Sequence, residues 1–229
     1  MLKKKKLVIT GSEGLIGKKL VKYFKTKYEV IPLDIQLGHD LTDEEFVKKW
    51  FKANKHIYGV ILCHAYNPIP KKNTKPVSPI EVPLDEIREF LNVNTVSLFS
   101  ISRQFIKNNK GGVIITIGSI YGTRAPKHHI YKDFVKHIGY SISKAGMTMM
   151  SKYLATYYAP HFRINTVVLG GIADPKQEAS FVKNYSDNTP LKRLMDIGEI
   201  IPVFELLLNK KSTSITGTEI YVDGGWTAW

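Results

Sequence analysis

The stretch Leu7-Val8-Ile9-Thr10-Gly11-Ser12-Glu13-Gly14-Leu15-Ile16-Gly17 decides the fold. Its opening residues form a β-branched run that reads as a strand. From Gly14 to Phe24, apolar Leu15, Ile16, Leu20, Val21 and Phe24 recur at helical spacing. Three glycines mark the junction. Glycine lets the chain turn tightly, lets the backbone approach a pyrophosphate, and lets helix and strand pack closely. A helix opening there offers free N–H groups and the positive end of its dipole to phosphates. A simple βα turn needs one glycine. Three of them, after a first strand, point to a dinucleotide cradle made by Gly11, Ser12, Glu13, Gly14, Leu15, Ile16 and Gly17.

Working outward, short β-branched runs alternate with longer amphipathic segments, the pattern of a parallel sheet covered by helices. Strands are expected at Glu29–Leu33, Tyr58–Cys63, Gly112–Gly118, Arg163–Leu169 and Glu219–Val222, and helices at Asp43–Asn54, Leu84–Asn109, Tyr140–Tyr158 and Ile197–Leu208. The Pro-rich Asn67–Pro83 reads as a loop. No repeat or linker divides the chain. The expectation is one doubly wound, Rossmann-type α/β domain over residues 1–229, a three-layer sandwich with a parallel sheet.

Composition sets the outer bounds. A chain of 229 residues with 43% hydrophobic content buries a sizeable core, and its longest apolar stretches are too short to span a bilayer. The first strand follows the N-terminal lysines at once, leaving no room for a signal segment. A lone cysteine, Cys63, fits a reducing compartment, so a cytoplasmic location is expected. The formal charge of +13 has two readings, a solvated lysine surface or affinity for an anionic ligand or partner. The lysines are scattered, without an Arg and aromatic stripe, which argues against nucleic acid. No His/Cys/Asp cluster has metal-ligand spacing, so no metal is expected.

Asp34, at the end of the second strand, can accept hydrogen bonds from ribose hydroxyls and would repel a 2′-phosphate. Ile35 and Gln36 bring no positive charge, and Glu13 adds a negative one, which favours NAD(H) over NADP(H). Asp34 could also be a mere strand-end cap. Asp40 and Leu41 are candidates for the adenine edge. Tyr140 and Lys144 lie four apart on a helix face, so phenol and ammonium can converge. A free tyrosine titrates at about 10, and a cation within ~4–6 Å favours its phenolate. Tyr23 and Lys27 match the same spacing. Ser119 distinguishes the Tyr140 pair, because it sits just past a strand, at the carboxyl ends where such sheets bind ligands.

These residues resemble the short-chain dehydrogenase/reductase family over essentially the whole chain. Thr10–Gly17, Asp40-Leu41, Asn92-Val93-Asn94, Ser119, Tyr140 with Lys144, Gly170-Gly171-Ile172 and Val222-Asp223-Gly224-Gly225 occur in the family's order. The resemblance implies that Tyr140 exchanges the substrate proton and Ser119 polarises the carbonyl. It also implies that Lys144 binds the nicotinamide ribose and tunes Tyr140, that Asn94 anchors a relay water, and that Gly170 and Ile172 meet the carboxamide. The sequence departs from the family in several places. The glycine spacing resembles that of the extended, sugar-nucleotide-modifying branch. Cys63-His64-Ala65-Tyr66 replaces a usual Asn-Asn-Ala-Gly, keeping Ala65 at the cofactor, and Leu169 replaces a usual proline. The gap from Ser119 to Tyr140 is long, so Ala125–Gly139, with His128, His129, Tyr131 and Lys132, reads as an insertion beside the site. His64 reads as a satisfied structural histidine rather than a proton carrier.

Ser119-Ile120-Tyr121-Gly122, followed by this insertion, is similar to a subgroup encoded with bacterial surface-sugar (flagellin or lipopolysaccharide glycan) pathways. Tyr121, His128 and Tyr131 are candidate substrate contacts, with aromatic packing as the alternative for the tyrosines. The expectation is hydride transfer between NAD(H) and a secondary alcohol or ketone on an anionic, nucleotide- or phosphate-linked sugar, in carbohydrate biosynthesis. The alternatives are a 3-oxoacyl-(acyl carrier protein) reductase and a non-catalytic dinucleotide sensor. The resemblance further implies a homodimer or homotetramer through Leu84–Asn109 and Tyr140–Tyr158, with Ser151, Ala155 and Tyr158 in a close helix pair. Trp226 and Trp229, near the terminus, are expected to be covered by another subunit or to lie over the site.

Overall fold

Each β-branched run becomes a strand, and the computed structural model, which describes residues 3–68, 77–131 and 135–229, joins them into one parallel sheet. The strands are β1 (Lys6–Thr10), β2 (Glu29–Leu33), β3 (Ile57–Leu62), β4 (Gly112–Ser119), β5 (Phe162–Leu169) and β6 (Glu219–Val222). Their order is β2-β1-β3-β4-β5-β6, so direction along the sheet reverses at β1 and the chain crosses over to β3. A crevice at the carboxyl ends of β1 and β3 is the expected ligand position in such a sheet.

Alternation along the strands assigns the two faces. Leu7 and Ile9 of β1 point into one core with Leu20 and Phe24 of α1 (Leu15–Phe24) and Phe204 and Leu207 of α7 (Ile201–Leu208). Val8 points the other way, to Phe51 of α2 (Glu44–Ala53), Phe105 of α4 (Ser97–Asn108) and Met147 of α5 (Ile138–Tyr158). Both faces are covered, as near-continuous apolar strands require.

The expected helix over Leu84–Asn109 is broken into α3 (Leu84–Leu91), a π-turn at Asn92–Val96, and α4. Local periodicity cannot reveal such a turn. Two side chains accompany it: Ser97 Oγ donates to the Val93 carbonyl at 2.7 Å, and Asn94 is fully buried. The expected helix Ile197–Leu208 opens as a 3₁₀ turn, Ile197–Ile200, capped by a reciprocal Asp196/Glu199 box. An unforeseen helix, α6 (Ala179–Asp187), forms where Phe181 stacks on Tyr131 and Tyr185 stacks on Trp226 at 4.3 Å. Residues 69–76 of the expected loop, and Lys132 in the insertion, lie outside the described residues.

Two packing expectations are corrected. Trp226 is buried within its own chain against Tyr185, so it needs no second subunit; Trp229 is exposed on the single chain, which leaves its expected cover by another subunit untested. Ser151 and Ala155 face the sheet, with Ser151 Oγ 3.0 Å from Thr116 Oγ1. The outward face of α5 carries Met149, Tyr153 and Tyr157 instead. Among the described residues, no helix is long and apolar enough to cross a membrane.

Candidate active site

The glycine loop is built for close approach. Gly11 has φ +61°, and a Cβ there would lie 2.5 Å from the His64 nitrogen. A Cβ on Gly17 would lie 2.0 Å from the Gly11 carbonyl oxygen, so only glycine lets α1 begin against the loop. Gly14 caps α1 without any side-chain hydrogen bond, and Ser12 Oγ is buried with no partner. An orphaned hydroxyl beside a cradle that a side chain would fill fits a dinucleotide pyrophosphate. Gly11, Gly14, Asp34, Asp40, Leu41 and Ala65 line a cavity of about 440 Å³ at this crevice.

Asp34 is nearly fully buried and ties the loop to the second strand. One carboxylate oxygen accepts from the Glu13 N–H and the other from the Gln36 N–H, each at 2.9 Å. Capping is thus a real role of Asp34, and free lone pairs remain on both oxygens. Glu13 pairs with Lys18 at 3.3 Å, which offsets the negative charge expected from it. Asp40 sits on the rim, its carboxylate drawn below the usual range by hydrogen bonds from the Thr42 hydroxyl and N–H.

His64 bridges the floor of the crevice. Nδ1 lies 2.7 Å from Thr10 Oγ1 and Nε2 lies 2.8 Å from Ser97 Oγ. Ser97 donates onward to Val93, so its oxygen accepts from Nε2–H and Nδ1 accepts from Thr10. Burial lowers the imidazole pKa to about 3, with Lys144 adding repulsion. His64 is a neutral strut between β1 and the π-turn, in keeping with the sequence reading.

At the neighbouring strand ends, β4 pairs in register with β5, setting Ser119 beside Leu169 and next to the Gly170-Gly171 turn. Ser119 accepts from the Tyr121 N–H at 3.2 Å and hydrogen-bonds the Tyr140 hydroxyl. Lys144, buried one turn along α5, donates to the Ile117 carbonyl at 2.7 Å, and its ammonium lies 5.9 Å from the centre of the Tyr140 ring. Burial lowers the Lys144 pKa to about 8. Burial also raises that of Tyr140, against the Ser119 hydrogen bond, which lowers it. Burial thus works against the phenolate that the neighbouring Lys144 ammonium would favour.

Asn94 reaches the site through the π-turn. Its Oδ1 accepts from the Tyr66 N–H at 2.6 Å, while Nδ2 donates to the Tyr66 carbonyl at 2.9 Å and to Ser143 Oγ at 3.0 Å. Its side chain is a brace between the loop after β3 and α5. Gly170 donates to Val222 O, and the Ile172 carbonyl accepts from Gln177 Nε2, which fixes this turn against β6 and the segment before α6.

The substrate candidates separate. Tyr131 donates to the Tyr121 hydroxyl at 2.6 Å; Tyr121 belongs to the buried cluster of Tyr185 and Trp226, and Tyr131 packs against it. Tyr121 also lines, with the exposed His128, a second cavity of about 540 Å³. The described part of the insertion is docked: Ile130 is fully buried, its carbonyl accepts from Asn184, and Lys127 reaches Asn188. Sequence reading missed Lys136, whose ammonium lies 4.1 Å over the Tyr140 ring. Its position four residues before Tyr140 was the available signal. Tyr23 and Lys27, which matched the same spacing, both bind Glu205 on α7, far from the site.

A glycine crevice beside a serine, tyrosine and lysine at the strand ends of a doubly wound sheet defines a nucleotide-binding oxidoreductase architecture. The chain belongs to the short-chain dehydrogenase/reductase family: a family model described as enoyl-(acyl carrier protein) reductase matches residues 6–227. Among its relatives is the post-translational flagellin modification protein A of Campylobacter coli, 28% identical over 258 residues, covering 99% of each chain. A 3-oxoacyl-(acyl-carrier-protein) reductase of Buchnera aphidicola is 32% identical, covering 95% of this chain and 85% of the relative. A solved short-chain dehydrogenase from Leptospira borgpetersenii with bound NAD+ superposes with a TM-score of 0.84 at 29% identity, covering 98% of this chain and 93% of that one.

Proposed function

We propose that residues 1–229 act as one NAD-dependent domain that interconverts a secondary alcohol and a ketone on a nucleotide- or phosphate-linked sugar. The observation that carries this reading is the convergence of Ser119, Tyr140 and Lys144 at the strand ends beside the glycine crevice. A bound nicotinamide cofactor supplies the hydride acceptor or donor. Gly11, Ser12, Gly14 and the start of α1 would hold its pyrophosphate, Asp34 its adenosine ribose, and Gly170 and Ile172 the carboxamide end. The Asp34 carboxylate favours NAD over NADP. Ser119 holds the substrate oxygen, and Tyr140, as a phenol, donates its proton to a carbonyl during reduction and recovers one during oxidation. Lys144 would bind the nicotinamide ribose, and Asn94 keeps α5 and the loop after β3 in register.

The full-length flagellin-modification relative supports a surface-sugar pathway. A 3-oxoacyl carrier-protein reductase is the second reading, supported by the Buchnera relative and by a basic surface suited to an acidic carrier. The free Cys63 is in keeping with a cytoplasmic enzyme. The exposed Met149, Tyr153 and Tyr157 on α5 support self-association as a dimer or tetramer, to be checked by light scattering. The functional test follows NADH absorbance across nucleotide sugars, phosphosugars and acetoacetyl thioesters. Turnover confined to sugars supports the first reading, and turnover of thioesters the second. NADH binding without turnover on any of them would point to a sensor.

A further inference from the structure

Tyr140 lies between two ammonium groups. Lys144 approaches from within α5, and Lys136 from the chain just before it, at 5.9 and 4.1 Å from the ring centre. Lys144 is engaged by a carbonyl that belongs to the fold. Lys136 is held differently: among the described residues its one hydrogen-bond partner is the neutral Asn67 Oδ1, at 2.6 Å, and no described carboxylate pairs with it. A cation held against an aromatic ring and an amide, with no counter-ion among the described residues, favours an incoming anion.

The surroundings have the same bias. Lys136 also lines the 540 Å³ cavity, together with Arg124, His128 and Ser141, and no acidic residue lines it among the described residues. Ser141 Oγ is buried without a partner, in the first turn of the 21-residue α5, where the helix dipole favours negative charge. Burial pulls the Lys136 pKa down to about 8, with Lys144 adding repulsion, and an anion would reverse that shift.

We infer that Lys136 is the specificity-determining anchor for an oxyanion, a carboxylate or phosphate ester, carried by the substrate a few bonds from the carbon that faces Tyr140. Ser141 donates to the same group, and Arg124 and His128 gather the anion at the rim. This inference rests on the oxidoreductase reading and deepens it, since neutral polyols and ketones become poor substrates.

The test has two arms. In the first, inorganic phosphate is titrated by calorimetry into wild type, Lys136→Gln and Lys136→Arg, each saturated with NADH so that the glycine crevice is filled. The glutamine variant is expected to bind phosphate about tenfold more weakly and the arginine variant to retain binding, with NADH affinity unchanged in both as the control for folding. Equal phosphate affinity in wild type and Lys136→Gln overturns the inference. In the second arm, kcat/KM is compared on matched sugar phosphates, sugar carboxylates and neutral sugars. The expected result is a KM-borne loss of about tenfold on the charged series, with a smaller loss on neutral sugars. An equal fall on both shows that Lys136 acts through Tyr140 alone and sinks the anchor. The charged class with the larger loss identifies the group. Absence of turnover on every sugar would undo the sugar-oxidoreductase reading, while the phosphate arm would still decide the inference.

Discussion

Replacing His64 with asparagine should change how stability depends on pH. The imidazole is buried between Thr10 and Ser97, and its pKa falls from 6.5 to about 3 on folding. The folded state keeps His64 neutral, while the unfolded chain protonates it below 6.5. The stability it contributes is therefore fully present above 6.5 and is lost progressively as pH falls towards 3. One proton taken up only by the unfolded chain costs about 1.4 kcal/mol per pH unit, or about 2 kcal/mol by about pH 5. Asparagine can still pair with Thr10 but does not titrate, so His64→Asn should be less stable near neutrality and lose less on acidification. Urea unfolding followed by circular dichroism, between about pH 8 and about pH 5, measures both proteins. All other groups titrate alike in the two, so their difference isolates His64. Stability curves that run parallel across this range would show that the imidazole is protonated in the folded state, and the strut assignment would be wrong.

Other substitutions separate chemistry from scaffold. Tyr140→Phe should lower turnover by about a thousandfold while NADH binding, followed by fluorescence, stays intact; full turnover would remove Tyr140 from the mechanism. Gly17→Ala forces a Cβ to 2.0 Å from the Gly11 carbonyl and should cost about 1–3 kcal/mol in thermal denaturation, with loss of NADH affinity. Asp34→Asn should weaken NADH binding and narrow any preference over NADPH by about tenfold, because it removes the charge facing a 2′-phosphate and keeps only one of the two backbone contacts, the amide NH2 being unable to accept the other. Trp226→Ala, which empties the place stacked on Tyr185, should cost about 3–5 kcal/mol in urea unfolding; a negligible loss would contradict its burial.

The sequence by itself determined the sheet. The β-branched runs fall on the six observed strands within a residue or two, because strand periodicity and turn glycines are local properties. It also marked Gly11, Gly17, Asp34, Ser119, Tyr140 and Lys144, since a cradle and a helical pair at fixed spacing are written in neighbouring residues. Only the tertiary structure decided the rest. The π-turn that aims Asn94 is invisible in the apolar pattern of Leu84–Asn109, whose face continues across it. Helix α6 exists because Tyr131 and Trp226, distant in sequence, offer its aromatics a surface. The choice between Tyr140 with Lys144 and the decoy Tyr23 with Lys27 depends on which pair reaches the strand ends. The charge state of Tyr140 and the place of Lys136 over its ring follow from burial and from contacts between distant segments. Spacing along a chain carries no information about either, because desolvation is set by everything that packs around a group.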